Sequence, residues 1–256
     1  MAKKNNIGII YLFVGGTILF SLAWMMPSFP LLAFIGFAPF IAIAVNNRKE
    51  KSIWSFLELI LLGLSISFFA GNLFAFNQLA HILVQTILFT LSFLGYTFVR
   101  KSLGVRVSII TLPLFWLTVE YVMLKWSPFP VNFLADLFFL KPEWTAWNHA
   151  TGYLGASLWV LICNMLLYKA VLTEKKVNWV FIVLFILSVA GPIFYSYATP
   201  GVANVVTREE MMQLYSSLPH TNNDYSLKGE FIPRTAAWVS VLILLFTLVK
   251  RKTTKK

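Results

Sequence analysis

The stretch IWSFLELILLGLSISFFAGNLF, residues 53–74, decides the fold of this chain. It contains a single charged residue, Glu58, in an otherwise apolar run. A helix rises about 1.5 Å per residue, so a run of this length spans the roughly 30 Å hydrocarbon core of a bilayer. We therefore expect residues 53–74 to form a transmembrane helix.

The same pattern recurs on both sides of this stretch. The whole chain of 256 residues is 58% hydrophobic and 12% charged, whereas about 25% of the residues of a soluble domain are charged. A soluble protein is thereby excluded, and an all-α polytopic membrane protein with a single transmembrane domain over residues 1–256 is predicted. Runs bounded by charges or by Pro, Gly and Asn predict eight transmembrane helices, over residues 8–26, 30–45, 53–74, 79–99, 109–126, 152–172, 179–198 and 236–249.

The basic residues predict the orientation of these helices. The net charge is +11, but the Lys and Arg residues lie in short groups between apolar runs, which indicates membrane topology and no nucleic-acid partner. If the N-terminus is cytoplasmic, 16 of the 21 basic residues fall in cytoplasmic segments. The exceptions on the outer side are Lys125, Lys141, Arg208, Lys228 and Arg234. Both termini are therefore predicted to be cytoplasmic.

Two long connections fall on the predicted outer side. Residues 127–151 are too aromatic for a solvated loop and too interrupted for a spanning helix, so we expect an interfacial loop with Trp144 and Trp147 at headgroup level. This loop is predicted to form the mouth of any lipid-binding groove. Residues 199–235 form a short outer loop that is much smaller than a typical domain of about 100–150 residues.

Ionisable residues within apolar runs are rare and need an explanation. Glu58 lies near the cytoplasmic end of its helix, where its side chain can reach the interface. Glu120 follows Trp116 by four residues and shares its helix face, and both a bundle-facing position and a position reaching the interface are compatible with this spacing. The lone cysteine, Cys163, is predicted to be buried and inert. We find no catalytic or metal-binding motif and expect no cofactor.

Small residues are concentrated in the sixth apolar run. Gly152, Gly155 and Ser157 are followed by Asn164 in GYLGASLWVLICN, residues 152–164. Small residues spaced three or four apart allow neighbouring membrane helices to approach closely. These four residues are therefore predicted to serve helix packing.

Several motifs, in this order, resemble the membrane domain of the apolipoprotein N-acyltransferase family. They are the Ala-Pro-Phe end of residues 30–40, PLFWLTVE at 113–120, Phe129-Pro130, GYLGASLWVLICN at 152–164, and YSLKGEFIPR at 225–234. The resemblance covers nearly the whole chain.

This resemblance implies a place in lipoprotein maturation at the bacterial inner membrane. The family transfers an acyl chain from a phospholipid to the N-terminal cysteine of a diacylated lipoprotein, using a Glu-Lys-Cys triad in a nitrilase-like domain between the last two helices. Here residues 199–235 occupy that position and contain no cysteine, and Cys163 lies within the sixth predicted helix. We therefore assign no catalytic residue and expect the chain not to catalyse this transfer alone.

The resemblance also suggests which residues contact lipid or substrate. Candidates for a lipid or substrate groove are Trp116, Glu120, Phe129, Pro130, Trp144, Trp147 and His149. A motif that leads into the last helix, expected to anchor it, comprises Tyr225, Lys228, Gly229, Glu230 and Arg234.

Three functions remain open on the sequence. The first is a scaffold that binds phospholipid or lipoprotein acyl chains and acts with a separate nitrilase-like subunit. The second is a lipid-handling or transport protein, which requires a polar path past Glu58 and Glu120. The third is an unrecognised intramembrane enzyme that uses Glu120, Asp136, His149 or Glu230, which requires these side chains to approach one another.

Overall fold

A computed structural model describes residues 3–46, 53–127, 131–173, 177–198 and 224–254, with only the backbone for 3–7, 149, 224–230 and 254. Within these ranges the regular structure is entirely helical. The α-helices are α1 (Lys3–Met25), α2 (Ala33–Gly36), α3 (Ala38–Asn46), α4 (Ile53–Gly71), α5 (Leu79–Leu103), α6 (Val105–Trp126), α7 (Asn148–Thr151), α8 (Gly155–Leu167), α9 (Trp179–Ala198) and α10 (Asp224–Thr254).

Seven helices in the described part of the chain are long and apolar enough to cross a membrane: α1, α4, α5, α6, α8 with the π-turn Tyr168–Leu172 that continues it, α9 and α10. The predicted class, an all-helical polytopic membrane protein, is confirmed. The number of crossings and the side on which the termini lie stay predictions.

The second predicted helix, residues 30–45, is divided in two. A short 3₁₀ turn, Pro30–Leu32, leads into α2, and α3 begins two residues after α2 ends. Pro39 supplies the physical reason, because proline has no N–H to donate and its ring clashes with the carbonyl four residues earlier. Pro39 is therefore accommodated in the first turn of the new helix α3 and not in the middle of a continuous one.

This divided segment lies at the centre of the bundle. Phe37, Ala38 and Phe40–Ala44 are 0–1% exposed, as expected for a helix that is apolar on every face. α1 contacts α2, α3 and α4, while α8 contacts α2, α3 and α9. α5 lies between α4 and α6, and α10 packs against α5 and α6.

The last helix is longer than predicted. The sequence pattern predicted residues 236–249, whereas α10 runs over Asp224–Thr254 and its apolar part over Phe231–Thr253. Pro233 lies inside this helix. A proline within a helix removes one hydrogen bond and need not end the helix where packing holds the two sides together.

The connection after α6 also differs from the prediction. Residues 131–138 fold into the bundle: Val131, Phe133, Leu134, Leu137 and Phe138 are at most 2% exposed. We call residues 131–138 the inserted segment. The sequence predicted a loop at the membrane interface over residues 127–151; in this part of it the apolar side chains pack into the core of the bundle, and its depth in the membrane stays a prediction. The side chains of the next turn are exposed by contrast: Phe139 is 64% exposed and Leu140 is 47% exposed.

Candidate functional site

The inserted segment is held by side chains from three helices. The carboxyl oxygen Oε1 of Glu120 accepts a hydrogen bond from the Leu134 amide at 2.9 Å, and Oγ of Ser157 accepts one from the Ala135 amide at 3.0 Å. Gln85 on α5 makes a pair of hydrogen bonds with the backbone of Asn132, at 3.0 and 3.2 Å. Non-helical backbone among membrane helices requires such partners, since no bulk water is present to supply them.

Glu120 is fully buried in this arrangement. Its Oε1 atom also accepts a hydrogen bond from Nε1 of Trp116 at 3.1 Å, and Ser157 lies beside the same carboxyl group. Its Oε2 atom has no hydrogen-bond partner among the residues that the structure describes. Glu120 thus takes the bundle-facing one of its two predicted positions.

Trp116 belongs to the aromatic core. It is 0% exposed, stacks on Phe89 at 4.2 Å between ring centroids, and meets Phe37 edge-on at 4.7 Å. Trp116 and Glu120 were predicted to line a lipid groove. The structure instead gives both of them contacts in the interior that support the inserted segment.

Asp136 secures the inserted segment from within. Its Oδ2 atom accepts a hydrogen bond from the Phe133 amide at 2.7 Å, and its Oδ1 atom accepts one from the hydroxyl of Tyr153. Asp136 lies close enough to Glu120 for the two carboxyl groups to interact electrostatically. The structure therefore brings together two of the acids named in the enzyme hypothesis, and their hydrogen bonds hold backbone and tyrosine groups in place.

Asn164 joins α8 to the break between α2 and α3. Its Oδ1 atom accepts hydrogen bonds from the amides of Phe37 and Ala38, at 2.9 and 2.8 Å. Its Nδ2 group donates to the carbonyl of Ala33 at 2.8 Å. Asn164 was predicted to serve helix packing, and its actual role is more specific: it supplies hydrogen bonds to backbone groups exposed by the division of a buried helix.

The small residues of 152–164 act in different ways. Gly152 follows the last residue of α7 and has a φ of 77°. This left-handed conformation favours glycine, so the turn at the end of α7 explains the glycine at this position. Gly155 does serve close packing, because a Cβ atom there would lie 2.7 Å from Cβ of Thr151. Ser157 acts through the hydrogen bond to the inserted segment.

An apolar groove lies between α8, α9 and the start of the apolar part of α10. Its volume is about 540 Å³, and it is a shallow groove that is largely open to its surroundings. It is lined mainly by apolar side chains, among them those of Trp147, Leu158, Ile162, Pro192, Tyr195 and Ile232. We call it the α8–α9 groove.

Of the predicted groove residues, Trp147 lines this groove. Trp144 is adjacent to it, since its carbonyl accepts hydrogen bonds from Nε1 of Trp147 at 3.1 Å and from Oγ of Ser196 at 3.3 Å. Phe129 and Pro130 lie outside the described residues, and for His149 the structure describes the backbone alone, within α7.

The motif that leads into the last helix is helical. Tyr225, Lys228, Gly229 and Glu230 belong to α10, where the structure describes their backbone positions. Arg234 is exposed on the same helix.

The remaining predicted residues differ in burial. Glu58 is exposed on α4, whereas Cys163 is 0% exposed with its Sγ atom 3.0 Å from Oγ of Ser188. The predicted burial of Cys163 is confirmed. Among the described residues, no group of three or more His, Cys, Asp and Glu side chains is placed to hold a metal ion.

Two contributors to the site were not among the predicted site residues. Gln85 is a polar residue within the apolar run 79–99, and this position was the available signal. The sequence did not mark Tyr153 as a site residue, because aromatic residues are common near the ends of membrane helices.

Comparisons with known proteins found no match among family models, curated proteins or solved structures.

Proposed function

We propose that this chain is a membrane scaffold that binds the acyl chain of a phospholipid or lipoprotein in the α8–α9 groove. The observation that carries the proposal is the groove itself. A volume of about 540 Å³ falls within the range of about 300–1,000 Å³ typical of ligand pockets. Because the groove is apolar and lies among helices suited to a bilayer, a lipid chain is the ligand whose chemistry matches it.

The shape of the groove supports a chain lying along α8. Gly155, Leu158 and Ile162 are spaced three and four residues apart, so they form one stripe along this helix. Gly155 is packed against Thr151, and Trp147 adds an aromatic surface to the lining of the groove. A linear apolar ligand fits such a stripe better than a compact one.

Little affinity comes from the hydrophobic effect in this setting. An acyl chain leaving the bilayer exchanges one apolar environment for another. Selectivity must therefore come from van der Waals packing against the groove walls, including Trp147, Trp159 and Tyr195.

Catalysis is assigned to a separate subunit in this proposal. Glu120 and Asp136 are engaged by backbone amides and by Trp116 and Tyr153, which suits a structural role. The resemblance to apolipoprotein N-acyltransferases supports lipoprotein maturation as the process and a nitrilase-like protein as the partner. A polar transport path is less favoured, since Glu58 is exposed on α4 while Glu120 is sealed in the core.

Acyl binding is tested with a phospholipid that carries a photoactivatable diazirine in its acyl chain. The purified protein is irradiated with this lipid in nanodiscs, and the cross-linked peptides are identified by mass spectrometry. We expect cross-links on α8 and α9, and we expect Ile162→Trp to lower their yield about fivefold by filling the groove, equivalent to about 1 kcal/mol.

Ile66→Trp is the matched control. Ile66 on α4 is 43% exposed and Ile162 is 42% exposed, so both variants add the same bulk to equally exposed positions. Cross-links spread evenly over the lipid-facing helices, or an equal effect of the two variants, would count against acyl binding in the groove. The scaffold role itself is tested by co-purification from native membranes, and repeated absence of a nitrilase-like or lipoprotein-processing protein would contradict it.

A further inference from the structure

Six basic residues meet at the end of the bundle opposite the inserted segment. They lie in the last turn of α5, the first turn of α6 and the last turns of α10, three helices that contact one another. We call this surface the basic end; it comprises Arg100, Lys101, Arg106, Lys250, Arg251 and Lys252.

The basic end is held together by short connections and side-chain contacts. Gly104, with a φ of 79°, is the single residue between α5 and α6, so Lys101 and Arg106 lie on either side of one tight turn. The guanidinium group of Arg251 lies 4.6 Å from the ring centroid of Phe98, which joins the end of α10 to α5. These cations therefore form one surface.

The positive charge of this surface is not neutralised by the helices that carry it. α5 contains no Asp or Glu, and the first acidic residue of α6 is Glu120, about 21 Å along the helix from Arg106. The apolar part of α10, Phe231–Thr253, contains no acidic residue either. The first turn of α6 has no side-chain cap, so its amide groups add partial positive charge at the same corner.

The cations of the basic end differ in what they contact. Arg100 donates a hydrogen bond from Nη1 to the carbonyl of Ala44 at 2.8 Å, near the C-terminus of α3, and so has a structural role. Lys101, Arg106 and Lys252 have exposed side chains. These three side chains are accessible to an anion from outside the protein.

An apolar surface continues directly below Arg106. Val107 is 46% exposed and Ile110 is 59% exposed on α6, and Ile110 lies four residues after Arg106 on the same helix face. A cationic group above an apolar stripe matches the two parts of a phospholipid, its phosphate and its acyl chain.

We infer that the basic end is a binding site for the headgroup of an anionic phospholipid, with the phosphate at Lys101, Arg106 and Lys252. Basic clusters at helix ends attract anionic lipids with about 1 kcal/mol per cation, or about fivefold in affinity. The site is independent of the proposed function, because it shares no residue with the α8–α9 groove.

The test uses the full-length protein in a neutral detergent. Native mass spectrometry measures the binding of dioleoylphosphatidylglycerol, which is anionic, and dioleoylphosphatidylcholine, which is zwitterionic. We expect the wild-type protein to prefer phosphatidylglycerol, and Arg106→Gln with Lys252→Gln to weaken its binding about 25-fold, the product of two fivefold effects, while phosphatidylcholine binding is unchanged.

The matched control removes two cations elsewhere, Lys141→Gln with Lys169→Gln, and is expected to retain the preference. Lys101→Gln with Lys252→Gln carries the same test if the first variant does not fold. Equal binding of the two lipids by the wild-type protein, or equal losses in the test and control variants, would overturn the inference. So would displacement of phosphatidylglycerol by millimolar inorganic phosphate, which would identify a site for free anions.

Discussion

Replacing Asn164 with leucine tests the most specific contact in the fold. Leucine has a similar size but no polar atoms, so Asn164→Leu removes the hydrogen bonds to the amides of Phe37 and Ala38 and to the carbonyl of Ala33. All three groups lie in the buried centre of the bundle, where α2 gives way to α3.

The expected loss follows from these contacts. A buried amide left without a partner, as at Ala38, costs about 1–3 kcal/mol, and each of the other two lost bonds removes about 0.5–1.5 kcal/mol. Asn164→Leu should therefore lower the free energy of unfolding by about 2–6 kcal/mol. Asn72→Leu is the matched control: Asn72 makes one side-chain hydrogen bond, to the Phe68 carbonyl, and that carbonyl also accepts the Asn72 amide.

The assay is reversible unfolding of the purified protein in mixed micelles, with increasing SDS and tryptophan fluorescence as the signal. Asn72→Leu is expected to change the free energy of unfolding by less than about 1 kcal/mol, since it leaves no backbone group without a partner. If Asn164→Leu fell within about 0.5 kcal/mol of Asn72→Leu, the bonds of Asn164 would contribute no net stability and the reasoning would be refuted.

Two further predictions concern the inserted segment and the topology. Glu120→Gln keeps an oxygen that accepts the hydrogen bond from the Leu134 amide, so it should change the free energy of unfolding very little. Glu120→Leu removes this acceptor and should lower the free energy of unfolding by about 1–3 kcal/mol in the same assay. Equal effects of the two variants would show that this hydrogen bond is unimportant. A membrane-impermeant maleimide should label Lys141→Cys and Lys252→Cys from opposite sides of sealed vesicles. The native Cys163 is buried and should not react. Labelling of both variants from the same side would disprove the predicted orientation.

The sequence alone predicted most of the long helices. The runs 53–74, 79–99 and 179–198 closely match α4, α5 and α9, because an apolar run of sufficient length is a local property that predicts a membrane helix wherever it lies. The two predicted helices that differ most from the structure both involve a proline. Pro39 divides a predicted helix and Pro233 lies inside a longer one, and the sequence pattern does not distinguish these outcomes, since packing on both sides decides them.

The candidate site was predicted less well than the helices. Burial of Cys163 and the place of Trp147 beside a groove were anticipated. The roles of Ser157 and Asn164 were not, because a small or polar residue on an apolar helix indicates close packing equally well. Their partners lie 22 and 126 residues away in the chain, at Ala135 and Ala38.

The sequence by itself determined the solvent of this protein and the positions of its long helices. Both depend on hydropathy and on the rise per residue, which neighbouring residues along the chain define. The tertiary structure decided that residues 131–138 enter the bundle and that Glu120, Ser157 and Asn164 bind backbone groups there. A buried polar group must find a partner, and which partner it finds depends on how distant helices pack.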